Sequence, residues 1–130
     1  MLLSDVRDWL KTLGVAEHYY IGRLENKQEK SLGVYNRNRG GNPVIAIGGL
    51  EASKYDIKSV TLLLHWNQNA RETEIAAQAL WNALLDVTNL DIGNEHVDYL
   101  ALLVPEPVAV LTDSAGIYEY VIDFDLYYRR

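Results

Sequence analysis

Hydrophobic residues along this chain recur with two periods, and the two periods divide it into helices and strands. Val6, Trp9, Leu10 and Leu13 fall at helical spacing and predict a short N-terminal helix with one apolar face. Ser4 is the expected cap, Asp5 suits the positive end of the helix dipole, and Gly14 is the expected stop. The clearest helix is predicted over residues 70–87, where Ala76, Leu80, Leu84 and Val87 form a stripe flanked by Ile75, Ala79 and Ala83. Asn69 with Glu72 three residues later is a capping-box spacing, and Trp81 lies beside the stripe, placed to cover a core edge or meet a partner.

The remaining segments read as strands and connections. Residues 19–24 and 32–35 are β-rich, and the polar run 25–30 between them fits a hairpin loop. Residues 36–42 carry three asparagines and Gly40-Gly41 before Pro43, a loop composition, and Val44-Ile45-Ala46-Ile47 then predicts a brief strand. Residues 56–66 predict a strand: Val60, Leu62, Leu64 and Trp66 share one face and Thr61, Leu63 and His65 the other, and Leu63 on that otherwise polar face suggests a central strand. Residues 89–94 read as a connection, and 97–104 as a strand that Pro105-Glu106-Pro107 stops. A short extended piece is expected at 108–111 inside a connecting loop. Over 117–128, Tyr118, Tyr120, Ile122, Phe124, Leu126 and Tyr128 alternate with a face that carries Glu119, Asp123, Asp125 and Tyr127. The order predicts a single α+β domain over residues 1–130: a mostly antiparallel or mixed sheet with an N-terminal helix and one long helix on one face.

Composition narrows the function classes. At 130 residues and 14.8 kDa, with 48% hydrophobic and 23% charged residues, the chain has the makeup of one globular domain. The absence of cysteine excludes disulfides, thiolate metal sites and a cysteine nucleophile. No apolar run approaches the roughly 20 residues that span a bilayer, and Met1-Leu2-Leu3-Ser4-Asp5 does not read as a secretory signal, so a soluble, cytoplasmically made protein is expected. Charge is uneven. Residues 1–40 hold seven Lys/Arg against five Asp/Glu, whereas residues 41–128 hold three against thirteen. The net charge of −6 argues against sequence-specific nucleic-acid binding. The asymmetry reads either as a solvated basic loop or as a basic edge made to meet an acidic edge on another copy.

Candidate chemistry is sparse. His18, His65 and His96 show no metal-ligand spacing, so no metal or cofactor is expected. His65 reads as a structural side chain, and His96 with Asp98 as a weak mimic of an acid–base pair. Asp123 and Asp125 share a strand face, as the solvent side of an antiparallel strand or as an acidic lining facing other copies. The doublets Gly40-Gly41 and Gly48-Gly49 lack a phosphate-loop context, and Asp113-Ser114-Ala115-Gly116 reads as turn chemistry. Nine tyrosines and three tryptophans against one phenylalanine is a skew toward residues that interfaces favour.

Several of these pieces together resemble the minor capsid or tail-terminator-like proteins of tailed bacteriophages of Gram-positive hosts or their prophages. They are the helix ending Leu10-Lys11-Thr12-Leu13-Gly14, the Gly40-Gly41-Asn42-Pro43 loop, the strand Ser59-Val60-Thr61-Leu62-Leu63-Leu64-His65-Trp66, the alanine-rich helix over 74–85 and the tyrosine-rich C-terminal strand. The resemblance is one of lengths and element order. It implies a non-catalytic virion protein of the head–tail junction, made in the host cytoplasm. Such a protein forms a six-membered ring on the tail tube, with itself, the tail-tube protein and the head connector as partners. A ring of this kind needs two unlike edges. The candidate interface residues are Arg23, Lys27, Lys30, Arg37 and Arg39 on the basic side and Asp123, Asp125, Tyr127 and Arg129 on the C-terminal strand. The alternative is a small ligand-binding module or enzyme with a pocket between the long helix and the sheet, using His65, Trp66 or His96.

Overall fold

A computed structural model describes residues 1–23, 28–37 and 55–129. The chain runs α1 (Leu3–Thr12), β1 (His18–Ile21), β2 (Ser31–Asn36), β3 (Tyr55–His65), α2 (Ala70–Leu84), β4 (Thr88–Ile92), β5 (Glu95–Leu102), β6 (Val108–Val110) and β7 (Glu119–Arg129). The strands form one mixed sheet in the order β1-β2-β3-β7-β5-β4, with β6 also paired to β7. The class is α+β, as the alternating periods predict. The strand expected at 44–47 and the Gly40-Gly41-Asn42-Pro43 loop lie outside the described residues.

α1 follows its apolar stripe, whereas the buried face of α2 is turned from the expected one: Thr73 and Ala77 join Leu80 and Leu84, Ala76 and Val87 are half-buried, and Ile75 and Ala79 are exposed. On α1, Val6 and Leu10 are buried. The helix starts two residues earlier than Ser4 predicts: Leu2 is the N-cap, without a side-chain cap bond, and Ser4 lies inside. Gly14 ends the segment with φ +66°. On α2, Thr73, Ala77, Leu80 and Leu84 are buried, and the Asn69 side chain accepts a 3.0 Å hydrogen bond from the Glu72 amide. The reciprocal half of the capping box is absent, because the Glu72 carboxylate accepts from Asn67 Nδ2 instead. Asn69→Ala is expected to cost about 1 kcal/mol, read as a lowered urea midpoint at unchanged slope. The helix stops at Leu84, three residues short of the expected end, where Leu85 turns extended and Asp86 takes φ +65°.

At the centre of the sheet, β3 and β7 pair antiparallel along their full lengths, from Tyr55 opposite Arg129 to His65 opposite Glu119. β5 and β6 share the other edge of β7, and between them Leu103-Val104-Pro105-Glu106-Pro107 arches away, moving the register by three residues. Two expectations need correction. The hairpin expected around residues 25–30 is not formed: β1 and β2 pair parallel, His18 opposite Ser31. Lys30, at φ +56°, makes the turn back, donating to the Trp66 carbonyl and accepting from the Glu17 and His18 amides. Residues 89–94 are not a simple connection: β4 pairs antiparallel with β5 around Gly93-Asn94. Gly93 has φ +59°, and a Cβ there would sit 2.7 Å from Asp5 Oδ2. Gly93→Ala is therefore expected to destabilise by about 1–2 kcal/mol, measured by thermal or urea unfolding.

Both helices occupy the same face of the sheet. Leu32, Val34, Val60, Leu62, Leu64, Ile122, Phe124 and Leu126 point toward them and join Val6, Leu10, Leu80 and Leu84 in one core. α1 touches β1 and β2 at one end of the sheet and β4 at the other, so the sheet curls around it.

Candidate functional site

The opposite, convex face is where most of the predicted polar residues lie, and cross-strand register sorts them into rows. In one row, Arg37 stands beside Ser59, Ser59 opposite Asp125, and Asp125 opposite Ala101. The Arg37 guanidinium crosses over Ser59 and forms a charge-assisted pair with Asp125. Asp125 is only 7% exposed, so the expectation that the acidic face of β7 is wet fails here. In the next row, Thr61 Oγ1 donates to Asp123 Oδ1 at 2.6 Å, with Tyr35 alongside. Burial, and secondarily the Glu119 charge, pushes the Tyr35 phenol above its ordinary value. The folded state thus resists ionising it, and the stability tied to its neutral form is intact below about 10 and is lost as pH climbs from there through the raised folded value. Tyr35→Phe is expected to make alkaline unfolding less steep there, checked by urea midpoints across that range.

A third row holds His65, whose Nδ1 lies 2.9 Å from Glu119 Oε2. With the carboxylate as acceptor, the ring carries its proton on Nδ1. Nε2 lies 3.7 Å from Asp113 Oδ2. Asp113 itself accepts from the Ala115 and Ile117 amides, shaping the 113–117 turn beside the ring, while His65 Nε2 is buried without a hydrogen-bond partner among the described residues. The bond to Glu119 is the structural role the sequence suggests for His65. Being 1% exposed, it lines none of the three grooves beside α2. His96 bonds Asp91 across the β4–β5 hairpin at 2.9 Å, with Asp98 3.8 Å from its other nitrogen. It too stands away from those grooves, whereas Trp66, the third residue of the pocket reading, lines one of them beside Glu72, Ile75 and Ala76 of α2.

At the far end of the same face, Tyr127 stacks on Tyr99 with ring centroids 4.5 Å apart, and Tyr55 tilts against it at 6.1 Å. Desolvation, then the neighbouring Tyr127, raises the Tyr99 phenol above its usual value. Arg129 pairs with Asp98 at 2.9 Å. Trp81 donates to the Val104 carbonyl, holding the arch against α2, which is the core-edge role its position suggests.

The nine predicted interface residues thus separate. Arg37 and Asp125, assigned to opposite edges, are partners within one chain. Lys30 lies 4.0 Å from Glu17 and 5.9 Å from the Trp66 ring centroid. Asp123, Tyr127 and Arg129 each have an intrachain contact, whereas Arg23 is exposed just beyond β1. Lys27 and Arg39 lie outside the described residues. Among the described residues, no group of three or more His, Asp or Glu is placed to hold a metal ion, and no helix is long and apolar enough to cross a membrane.

Sequence reasoning missed the exposed apolar rim beside the arch, where Leu103, Val108, Val110 and Leu111 all face solvent and Leu111 is 88% exposed. The signal was present as alternating apolar residues after Pro107, read only as a connecting piece. No protein-family model matches this chain, and no curated protein matches it significantly.

Proposed function

We propose that this chain is a non-catalytic structural subunit of the head–tail junction of a tailed bacteriophage. In this reading it is a tail-terminator-type protein that forms a ring, caps the tail tube and joins it to the head connector. The observation that carries the reading is how the titratable groups are used. Arg37–Asp125, His65–Glu119 and Thr61–Asp123 brace neighbouring strands of the convex face instead of lining a cavity. A side chain spent on holding two strands together is positioned by both and unavailable to a substrate. Such bracing makes a stiff wedge, and a ring subunit needs stiffness, because small errors in angle accumulate around the circle.

The exposed apolar residues of the rim support the same reading, since they offer contact area without reactive groups. Tubes of tail-tube protein, grown with and without this chain and measured by negative-stain microscopy, provide the test. Shortened tubes with a ring at one end are expected. Unchanged tubes, together with a large thermal shift toward a small molecule that His65→Ala abolishes, would favour the ligand-binding alternative.

A further inference from the structure

The pairing register places two open strand edges at the same height on opposite sides of the sheet. His18, Ser31, His65, Glu119 and Val110 form one continuous row, and Tyr20, Gly33, Leu63, Val121 and Val108 form another. The band is five strands wide, β1-β2-β3-β7-β6, and among the described residues no strand pairs with the outer side of β1 or of β6. Four strand intervals of about 4.8 Å separate the two edges by about 19 Å along the sheet, so they do not satisfy one another within one chain. Both edges are short, four residues and three.

We infer that β6 of one copy accepts β1 of the next, extending the sheet from subunit to subunit in a head-to-tail contact. This rests on the ring-forming reading above and specifies which surfaces close the ring. Three features make a second copy the occupant. First, β1 runs parallel to β2, β2 antiparallel to β3, β3 to β7 and β7 to β6, so β1 and β6 point in opposite directions. Copies related by rotation about an axis along the strands therefore meet as an antiparallel pair, the better-bonded arrangement.

Second, the faces agree. His18 and Tyr20 lie on the convex face with Val110 and Val108, and setting His18 against Val110 places Tyr20 against Val108 with every side chain on its proper side. Ile21, Val108 and Val110 are each more than 40% exposed in the single chain, and this contact covers them.

Third, the charges complement. In the antiparallel pair the C-terminal end of β1 meets the N-terminal end of β6. Arg23, two residues past β1, and Glu106, two residues ahead of β6, then lie at the same end of the contact with opposite charges, both exposed and without an ion-pair partner among the described residues. Pro105 and Pro107 lack amide protons, which confines the added ladder to β6 itself and keeps the edge from recruiting longer strands. The contact is heterologous, so its repetition closes into a circle when the rotation permits.

The chain has no cysteine, which makes site-directed cross-linking clean. Directly opposed antiparallel residues have Cα separations that a disulfide bridges. Full-length His18→Cys and Val110→Cys proteins, mixed and oxidised, are expected to give the mixed dimer as the main product. The His18→Cys/Val110→Cys double variant is expected to give a ladder ending in a closed species resistant to further growth. Arg23→Glu is expected to reduce the mixed product several-fold, and pairing it with Glu106→Arg on the partner to restore it. Absence of the mixed dimer, or a Val110–Val110 product in its place, overturns the inference. If rings cap tubes while the mixed dimer is absent, the edge assignment fails and the function stands. If the mixed dimer forms but tubes are untouched, the reverse holds.

Discussion

Phe124→Ala is expected to destabilise the protein by about 3–5 kcal/mol, the largest effect of any single truncation considered. Phe124 is the only phenylalanine and is fully buried. It sits on β7 with Val60 opposite on β3 and Leu102 opposite on β5, in the middle of the sheet's helix-facing side. Removing the ring takes apolar area from the core and leaves a cavity that two rigid ladders cannot collapse to fill. A small domain holds only about 5–15 kcal/mol in total, so the variant should show a far lower urea midpoint and, at 37 °C, a substantial unfolded fraction. A midpoint within error of the parent would mean that this region of the core repacks freely, contrary to the full-length β3–β7 pairing. Phe124→Leu keeps most of the volume and should recover more than half of the loss.

Arg37→Met is expected to cost about 2–3 kcal/mol, at or just below the range for breaking a buried pair because Arg37 itself is partly exposed. The loss arises from Asp125, left as a carboxylate in a site closed to water. Truncating both, Arg37→Met with Asp125→Leu, should return stability to near the parent value, because no charge then remains buried. Urea unfolding of the four proteins gives the coupling directly. Additive losses in the double variant would show that the two side chains act independently.

What local sequence conveys and what it hides divides along physical lines. β3 and β7 were legible because Val60, Leu62 and Leu64 on one and Tyr120, Ile122, Phe124, Leu126 and Tyr128 on the other recur every second residue, and α2 because it is rich in helix formers and carries an Asn69 cap. β4 was not, since Thr88-Asn89-Leu90-Asp91-Ile92 mixes turn-forming residues with two apolar ones and is exposed over most of its length. The parallel pairing of β1 with β2 was hidden because a polar connection has the same composition whether it turns a hairpin or travels back along the strand. On β5, the irregularity between Val97 and Tyr99 shifts the phase, so Val97 and Leu100 are both buried although simple alternation puts them on opposite faces.

The candidate site was legible as an inventory and not as an arrangement. Arg37 and Asp125 each stood out by charge, but they are 88 positions apart and only the sheet brings them together. His65 was recognisable as structural, while its carboxylate partner Glu119 comes from the far end of the chain. The edges of β1 and β6 could not be read at all, since an edge is defined by which neighbour is missing.

The curl of the sheet around α1 has a consequence for assembly size. In a circle built by joining strand edges, the angle between neighbouring subunits is set by how far the sheet bends between its two open sides. The helix lies inside that bend, with Val6 and Leu10 buried in the core it shares with the sheet. Under the head-to-tail contact proposed above, the number of copies that complete the loop is encoded away from the joints themselves, in the packing between helix and sheet.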